Sequence, residues 1–411
     1  MGDFHQNGII TTLHNLSDRP LEEMEAELVR FQKTRPMSLI LPSLFSELEG
    51  EAMPNIISHL TQVPYLSEIV VGLDRADESQ YRFALEFFSQ LPQHHRVLWN
   101  DGPRLLALDN ELREKGLAPR ELGKGRNVWY CMGYVLASGV GESVALHDCD
   151  IVTYDRSLLA RLIYPVANPF FNYEFCKGYY ARVASGKING RVCRLLVTPL
   201  VRALKRVLGP LEYLDYMDSF RYPLAGEFSF RRDVLTDLRI PSDWGLEIGV
   251  LSEMHRNYAH NRLCQVDIAD TYDHKHQSLS LDDRNAGLSK MSIDIAKAVF
   301  RKLATQGEVF TPETFRTIKA TYFRIALDFV ETYHNDAIMN GLSHDLHEEE
   351  VAVEMFAQNI MEAGQAFLDN PMKTPFIPSW NRVASAMPDV FDRLREAVEE
   401  DNKEFSATVR S

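Results

Sequence analysis

The chain is poor in several features that would place it in a class at once. No apolar run reaches the ~18 residues of a membrane-spanning helix. The opening stretch MGDFHQNGIITTLHNLSDRP lacks the basic start, apolar run and small-residue cleavage site of a secretory leader. The expectation is a cytoplasmic protein with no membrane span. Cysteine is scarce: Cys131, Cys149, Cys176, Cys193 and Cys264 are the only five in 411 residues. None forms a CxxC pair, and an odd, widely spaced set excludes a zinc knuckle and a disulfide scaffold. Basic residues are in deficit, 44 Lys and Arg against 58 Asp and Glu, for a formal charge of -14. A duplex binder carries the opposite balance, so no nucleic acid is expected as main partner. The Walker spacing GxxxxGK[ST] is missing too, although Gly123-Lys124-Gly125 offers glycines and a lysine that suit a nucleotide's phosphates.

What remains is ordinary globular composition, 45% hydrophobic and 25% charged, which excludes wholesale disorder. Short apolar runs at 37–42, 68–73, 96–100 and 143–147 read as strands. Amphipathic stretches at 21–33, 44–61, 78–90 and 128–138 read as helices between them. That alternation predicts an α/β protein with a mostly parallel sheet covered by helices on both faces, and ligands beyond the carboxyl ends of its strands. Past Asp150 the order loosens. A helix is predicted over 156–166, a strand within KGYYARV (177–183), a glycine turn at 185–190 and one helix over 191–208 despite Pro199. EFSFRRDVL (227–235) reads as running on into a helix, followed by a helix over 246–258 and a strand over 264–270. From 290 the periodicity is helical, with long segments at 290–304, 312–333 and 347–368, and the tail beyond Asn402 reads as frayed.

Several residue groups suit chemistry. Asp148-Cys149-Asp150 directly follows the apolar run 143–147, which sets two carboxylates at the mouth of the sheet. Such a pair can hold Mg2+ against a diphosphate, or it can be merely solvated or capping. His274 and His276, after the strand 264–270, can complete a metal shell or touch phosphate, or lie on the surface. Asn189-Gly190-Arg191-Val192 opens a helix, where free amides and Arg191 can make a carboxylate or phosphate clamp, or form an ordinary surface turn. Glu227, among apolar neighbours in PLAGE, must be paired if buried, and Glu247 can orient a hydroxyl or cap amides. The acids after His344 read as first-turn residues of the helix 347–368.

The ordered set LPSLFSELE (41–49), GKGRN (123–127), DCD (148–150), GRVCRLLVTPL (190–200), YPLAGEFSFRRDVL (222–235), DWGLEIGVLSE (243–253) and QVDIADTYDHKHQ (265–277) resembles the glucosyl-3-phosphoglycerate synthase family. The resemblance covers roughly residues 37–290. It implies a GT-A glycosyltransferase fold, Rossmann-like, with a C-terminal helical extension. The implied reaction is retaining transfer of glucose from a nucleotide-glucose, typically UDP-glucose, to the 2-hydroxyl of 3-phosphoglycerate. Front-face attack is the family's usual account, with the leaving diphosphate helping to accept the proton. Mg2+ is the implied cofactor, with Mn2+ as its substitute.

Residue by residue, the resemblance places Asp148, Asp150 and His274 at the metal, with Asp150 the more direct ligand. Pro42, Leu44, Ser46, Glu47, Asp74, Lys124, Gly125, Asp148 and Cys149 fall at the donor nucleotide. Gly190, Arg191, Val192, Cys193 and His276 fall at the acceptor, and Leu224, Ala225, Gly226 and Glu227 at the donor sugar. Glu247 lies near sugar and acceptor, so the implied catalytic set is Asp150, Glu247, Glu227 and Arg191. The implied division is an N-terminal helical segment (1–36), a nucleotide-sugar half (37–152), an acceptor and metal-completing half (153–289) and a helical extension (290–411) suited to building a homodimer. LPSLFSELE departs from the family's LPALNEE-like start, His276 stands where asparagine is common, and Cys193 replaces a hydroxyl residue of some members. Glycerate as acceptor and mannose as transferred sugar stay open. So do a sugar-nucleotide nucleotidyltransferase, whose glycine-rich start is missing here, and a non-catalytic nucleotide-sugar sensor.

Overall fold

The computed structural model describes residues 6, 8–119, 121–274, 287–372 and 376–406. Its centre is an eight-stranded sheet. In chain order the strands are β1 (Thr11–Leu13), β2 (Met37–Leu44), β3 (Leu66–Asp74), β4 (His95–Trp99), β5 (Ser143–Leu146), β6 (Phe175–Tyr180), β9 (Phe228–Arg231) and β10 (Leu263–Ala269), with β7 (Val183–Ala184) and β8 (Lys187–Ile188) forming a separate hairpin. Across the sheet the order is β1-β10-β6-β9-β5-β2-β3-β4. Every pairing is parallel except those of β9, which runs antiparallel between β5 and β6.

The apolar runs form strands because both faces are buried. Leu39, Leu41, Ile69, Val71, Leu73 and Ala145 point into one core, and Ile40, Val70, Val144 and Leu146 into the other, as a period of two requires. Helices Leu21–Phe31, Ala52–Leu60, Glu78–Phe88 and Arg156–Ala167 cover the first face. The second face carries Pro103–Glu114, Lys124–Ser138 and the helices from Gly287 onward, the last of which, Val390–Ser406, also reaches the first core through Phe405. The C-terminal helices therefore share one apolar core with the sheet. Trp129 and Trp380 stack at 4.0 Å across that junction, and each indole N–H donates to a backbone carbonyl, of Pro378 and Trp129 respectively.

Four differences from the sequence reading have physical causes. EFSFRRDVL contains β9 before its helix; Phe228, Ser229 and Phe230 are all buried, and the Ser229 hydroxyl donates to Leu162 O at 2.7 Å. The stretch 44–61 is two helices, Phe45–Leu48 and Ala52–Leu60; Pro54 lies in the first turn of the second, where its missing N–H costs nothing. The stretch 191–208 begins as a π-helical segment, Val192–Val197, and continues as an α-helix, Thr198–Leu208, with Pro199 in its first turn. Of the tail beyond Asn402, residues 403–406 are helical, the end of Val390–Ser406, which caps the open edge of β4, and 407–411 lie outside the described residues. Asn402 accepts from Val97 N–H at 3.1 Å and donates to Val97 O at 2.8 Å, while Phe405 closes on Trp99 and Tyr81.

Candidate active site

The strand order places the carboxyl ends of β2, β3 and β5 side by side, and the polar residues gather there. At the end of β3, Asp74 accepts from Asn100 Nδ2 at 2.6 Å. Burial pushes Asp74 up to about 6 against that hydrogen bond. Asn127 donates to Gly72 O at 3.0 Å, and the buried Arg126 donates to Asn100 O at 3.1 Å. On β2, Pro42 lies two residues beyond Ile40, the last residue paired with β5, where the chain leaves the sheet interior. Leu44 precedes the short helix that carries the exposed Ser46 and the partly exposed Glu47.

β5 ends at Leu146 and delivers His147, Asp148, Cys149 and Asp150. β10 ends at Ala269 and brings His274 back to bridge with Ile151. One ligating atom each from Asp148, Asp150 and His274 lies within 4.8 Å of the others. Asp150 Oδ1 is buried without a hydrogen-bond partner among the described residues and stands 3.7 Å from His274 Nδ1. Burial and the Asp148 charge push Asp150 up to about 7. A carboxylate with one buried oxygen that accepts no hydrogen bond, beside a second carboxylate and an imidazole, fits a divalent cation of the Mg2+ or Mn2+ kind. Cys149 is buried between the two aspartates, and desolvation pushes its thiol far up, so it is inert filler.

Lys124 opens the helix Lys124–Ser138 and reaches Asp148 at 2.5 Å and Glu247 at 3.2 Å. Burial works against the Asp148 carboxylate, yet Lys124 holds it below its ordinary value. Gly125 allows that helix start to lie against Pro241 and Ser242. Glu247, in the first turn of Leu246–Asn257, is nearly buried. The PLAGE strip passes close to Asp148: a Cβ on Gly226 would stand 2.4 Å from Asp148 Oδ2, so any larger residue would displace that carboxylate. Ala225 is buried and Leu224 packs at the edge of the second core.

Glu227 is fully enclosed. Tyr180 donates to one of its oxygens at 2.9 Å and Tyr272 to the other at 2.5 Å, and these two rings stack at 3.6 Å. Burial and Asp148 push its carboxyl up. Both of its oxygens are engaged by protein hydroxyls. Sequence reasoning passed over these tyrosines, and also Lys177. That lysine lies on β6, 1% exposed, donates to Ala225 O and stands 4.9 Å over the Phe228 ring. Burial lowers it to about 8 although Glu247 and Glu227 pull the other way. The available signal was a lysine inside an otherwise apolar strand, which must have a partner.

The turn at 189–193 adjoins this strip. Gly190 has φ +77°, and a Cβ there would meet Tyr222 Oη at 2.9 Å. Tyr222 packs on Tyr180 at 4.9 Å. Val192 and Cys193 are buried, and desolvation pushes the Cys193 thiol up to about 12. Arg191 is partly exposed and already engaged: its Nε donates to Glu349 at 2.7 Å and its Nη2 pairs with Glu348 at 2.8 Å. Asp345 caps this helix, Leu346–Asp369, by accepting from Glu348 N–H at 3.0 Å, but the buried Glu349 does more than favour the first turn. His276 lies outside the described residues.

No family model matches the chain. A glucosyl-3-phosphoglycerate synthase of Persephonella marina is 48% identical over 98% of this chain and 100% of its own length. One of Methanococcoides burtonii is 38% identical over 98% and 99%. A crystal structure of the Mycobacterium tuberculosis synthase, with Mn2+, uridine diphosphate and glucosyl-3-phosphoglycerate bound, superposes with a TM-score of 0.51 at 20% identity, covering 71% of this chain and 87% of that one. That likeness shows the GT-A type of fold, while identity along the full length to two curated synthases shows kinship: the chain belongs to the glucosyl-3-phosphoglycerate synthase family.

Proposed function

We propose that the protein is a metal-dependent retaining glycosyltransferase that moves glucose from UDP-glucose to the 2-hydroxyl of 3-phosphoglycerate. The observation that carries this reading is the convergence of Asp148, Asp150 and His274 beside Lys124 at the carboxyl end of the sheet. Those three residues would hold Mg2+ or Mn2+, which when bound supplies the positive charge that offsets a diphosphate leaving group. Lys124 keeps Asp148 ionised and adds a second cation beside the diphosphate. Asp74, steadied by Asn100, serves the nucleoside, with Pro42, Leu44, Ser46 and Glu47 as its flank. Leu224 to Gly226 line the sugar, and Glu247 accepts a hydroxyl hydrogen bond. Gly190, Arg191, Val192 and Cys193 anchor the acid, which brings its hydroxyl near the anomeric carbon. His276 belongs to the same acceptor assignment.

Commitment of both Glu227 oxygens to tyrosine hydroxyls supports a single front-face step over a two-step route through that carboxylate. The proton of the acceptor hydroxyl then passes to the departing diphosphate. Glu227 acts by fixing the strip that carries Gly226. The chain is read as a donor half (37–152) and an acceptor half (153–289) between a short N-terminal segment (1–36) and the helical extension (290–411). The same reading includes a homodimer, which light scattering separates from the 47.0 kDa monomer. It also includes a cytoplasmic setting, supported by five cysteines that are all buried and unpaired. No helix among the described residues is long and apolar enough to cross a membrane.

The test is direct. The purified protein is incubated with Mg2+ and UDP-, GDP- or ADP-glucose, with 3-phosphoglycerate or glycerate, and products are read by mass spectrometry. UDP together with glucosyl-3-phosphoglycerate is expected. Donor binding without any glycosylated acid would favour a sensor, and release of pyrophosphate from a nucleoside triphosphate a nucleotidyltransferase.

A further inference from the structure

The acceptor turn is held by residues far away in sequence, and the way it is held has consequences for the acceptor. The β7–β8 hairpin leads into the turn, and Ser343 N–H donates to Gly186 O at 2.8 Å from the start of the next segment. Beyond it, Glu349 is buried and receives two arginines: Arg191 Nε at 2.7 Å and Arg194 Nη1 at 2.8 Å. One carboxylate thus faces two guanidinium groups, which leaves one positive charge in excess. Glu348 supplies the balance through Arg191 Nη2 at 2.8 Å. The two glutamates differ in environment. The Glu349 side chain is 4% exposed and Glu348 is 44% exposed. A cavity of about 460 Å³ opens at this point, lined by Lys187, Arg191, His344, His347, Glu348 and Glu349.

We infer that Glu348 holds, in the free protein, the Arg191 donor that an anionic acceptor takes on binding, while Glu349 keeps Arg191 aimed at that place. This rests on the assignment of Arg191 as acceptor anchor. An exposed glutamate is a weak partner whose pairing is largely offset by solvation, so an incoming phosphate or carboxylate displaces it readily. A buried carboxylate shared by two arginines is not displaceable, because its loss leaves unpaired charge inside the protein. Glu348 is therefore a competitor of the acceptor, and Glu349 a positioning residue. Two adjacent glutamates have effects of opposite sign.

The experiment measures KM for 3-phosphoglycerate and for UDP-glucose in Glu348→Gln, Glu349→Asp and Arg191→Ala, with UDP binding by calorimetry as the check on folding. Glu348→Gln is expected to lower the acceptor KM about two- to fivefold, the span of an exposed pair, with the donor KM unchanged. Glu349→Asp, which retracts the carboxylate without removing its charge, raises the acceptor KM while UDP binding stays intact. An acceptor KM that is unchanged or higher in Glu348→Gln, with Arg191→Ala still raising it, overturns the competition and leaves the acceptor assignment standing. An unchanged acceptor KM in Glu349→Asp overturns the positioning role. If Arg191→Ala itself leaves the acceptor KM unchanged, the underlying assignment fails instead.

Discussion

Lys177→Met separates stability from function at a buried charge. Lys177 is 1% exposed, and its burial lowers it from 10.5 to about 8 despite Glu247 and Glu227. At about 1.4 kcal/mol per tenfold, keeping the ammonium charged in the fold costs about 3 kcal/mol at neutral pH. Methionine matches the stem and removes that cost, while stranding Ala225 O takes back about 1–3 kcal/mol. The variant is expected to be more stable at pH 7.5, by at most about 2 kcal/mol. With an unfolding entropy of about 2.1 cal/mol/K per residue over 411 residues, that raises Tm by at most about 2 °C. The folded lysine releases its proton at lower pH than the unfolded one, so between pH 8 and 10.5 the unfolded chain binds more protons. The wild type therefore gains stability from this group across that window and the variant does not. The difference shrinks as pH rises and changes sign near its top, when the neutral amine keeps its hydrogen bond at no charge cost. Turnover moves the other way: loss of a charge-assisted bond that fixes the sugar-facing strip lowers kcat/KM about ten- to a hundredfold. Urea and thermal denaturation at pH 7.5 and about pH 10 check the first part, and initial rates the second. A large drop in Tm at pH 7.5, or a gap that does not change with pH, would refute the reasoning.

Three further outcomes follow from the geometry. Asp150→Ala removes a ligand of the candidate cation site, so the rise in Tm on adding Mg2+ with UDP disappears, as differential scanning fluorimetry will report. Tyr272→Phe leaves Glu227 Oε1 buried and unpaired, which costs about 1–3 kcal/mol and lowers the urea midpoint without changing the fold. Asn402→Ala strips the partner from Val97 N–H at the sheet edge and leaves Val97 O to the Tyr81 hydroxyl at 3.2 Å, at about 1–3 kcal/mol for the one stranded group, and an unchanged urea midpoint would show that the edge is held by Phe405 and its neighbours alone.

The parallel strands were legible because each is an apolar run with both faces buried, and the Asp148–Asp150 pair because it directly follows a strand, whereas the choice of His274 over His276 came from the family resemblance. β9 was not legible, since four residues, FSFR, leave too little pattern, and its central Ser229 is satisfied by a helix carbonyl that only the fold supplies. β1 is three residues long, TTL, and is a strand only because β10 lies beside it. Lys177 and the Glu227–Tyr180–Tyr272 group were missed for a common reason: in each, a polar residue's role depends on a partner 45 or more positions away. The same holds for Arg191, whose partner Glu349 is 158 residues distant. Local patterns locate strand ends well, whereas long-range charge pairing leaves no local trace.

Charge balance explains how a chain of net charge -14 handles two anionic substrates. Among the described residues Asp148, Asp150, Glu227 and Glu247 face Lys124 and Lys177, a deficit that one dication would make good, so on the proposed assignment the diphosphate meets a cation beside those acids. On the proposed assignment the acceptor side solves the same problem by exchange, Arg191 trading Glu348 for the substrate anion. Exchange has a distinct dependence on salt. Screening weakens the guanidinium's hold on the acceptor, but it weakens the competing Glu348 pair as well, so the two effects partly cancel in the wild type. In Glu348→Gln the competing pair is gone and nothing cancels. The acceptor KM of that variant should therefore start lower and rise more steeply between about 0.05 and 0.5 M NaCl than that of the wild type. Parallel salt profiles for the two proteins would mean that Arg191 never changes partner, whatever its part in holding the acid.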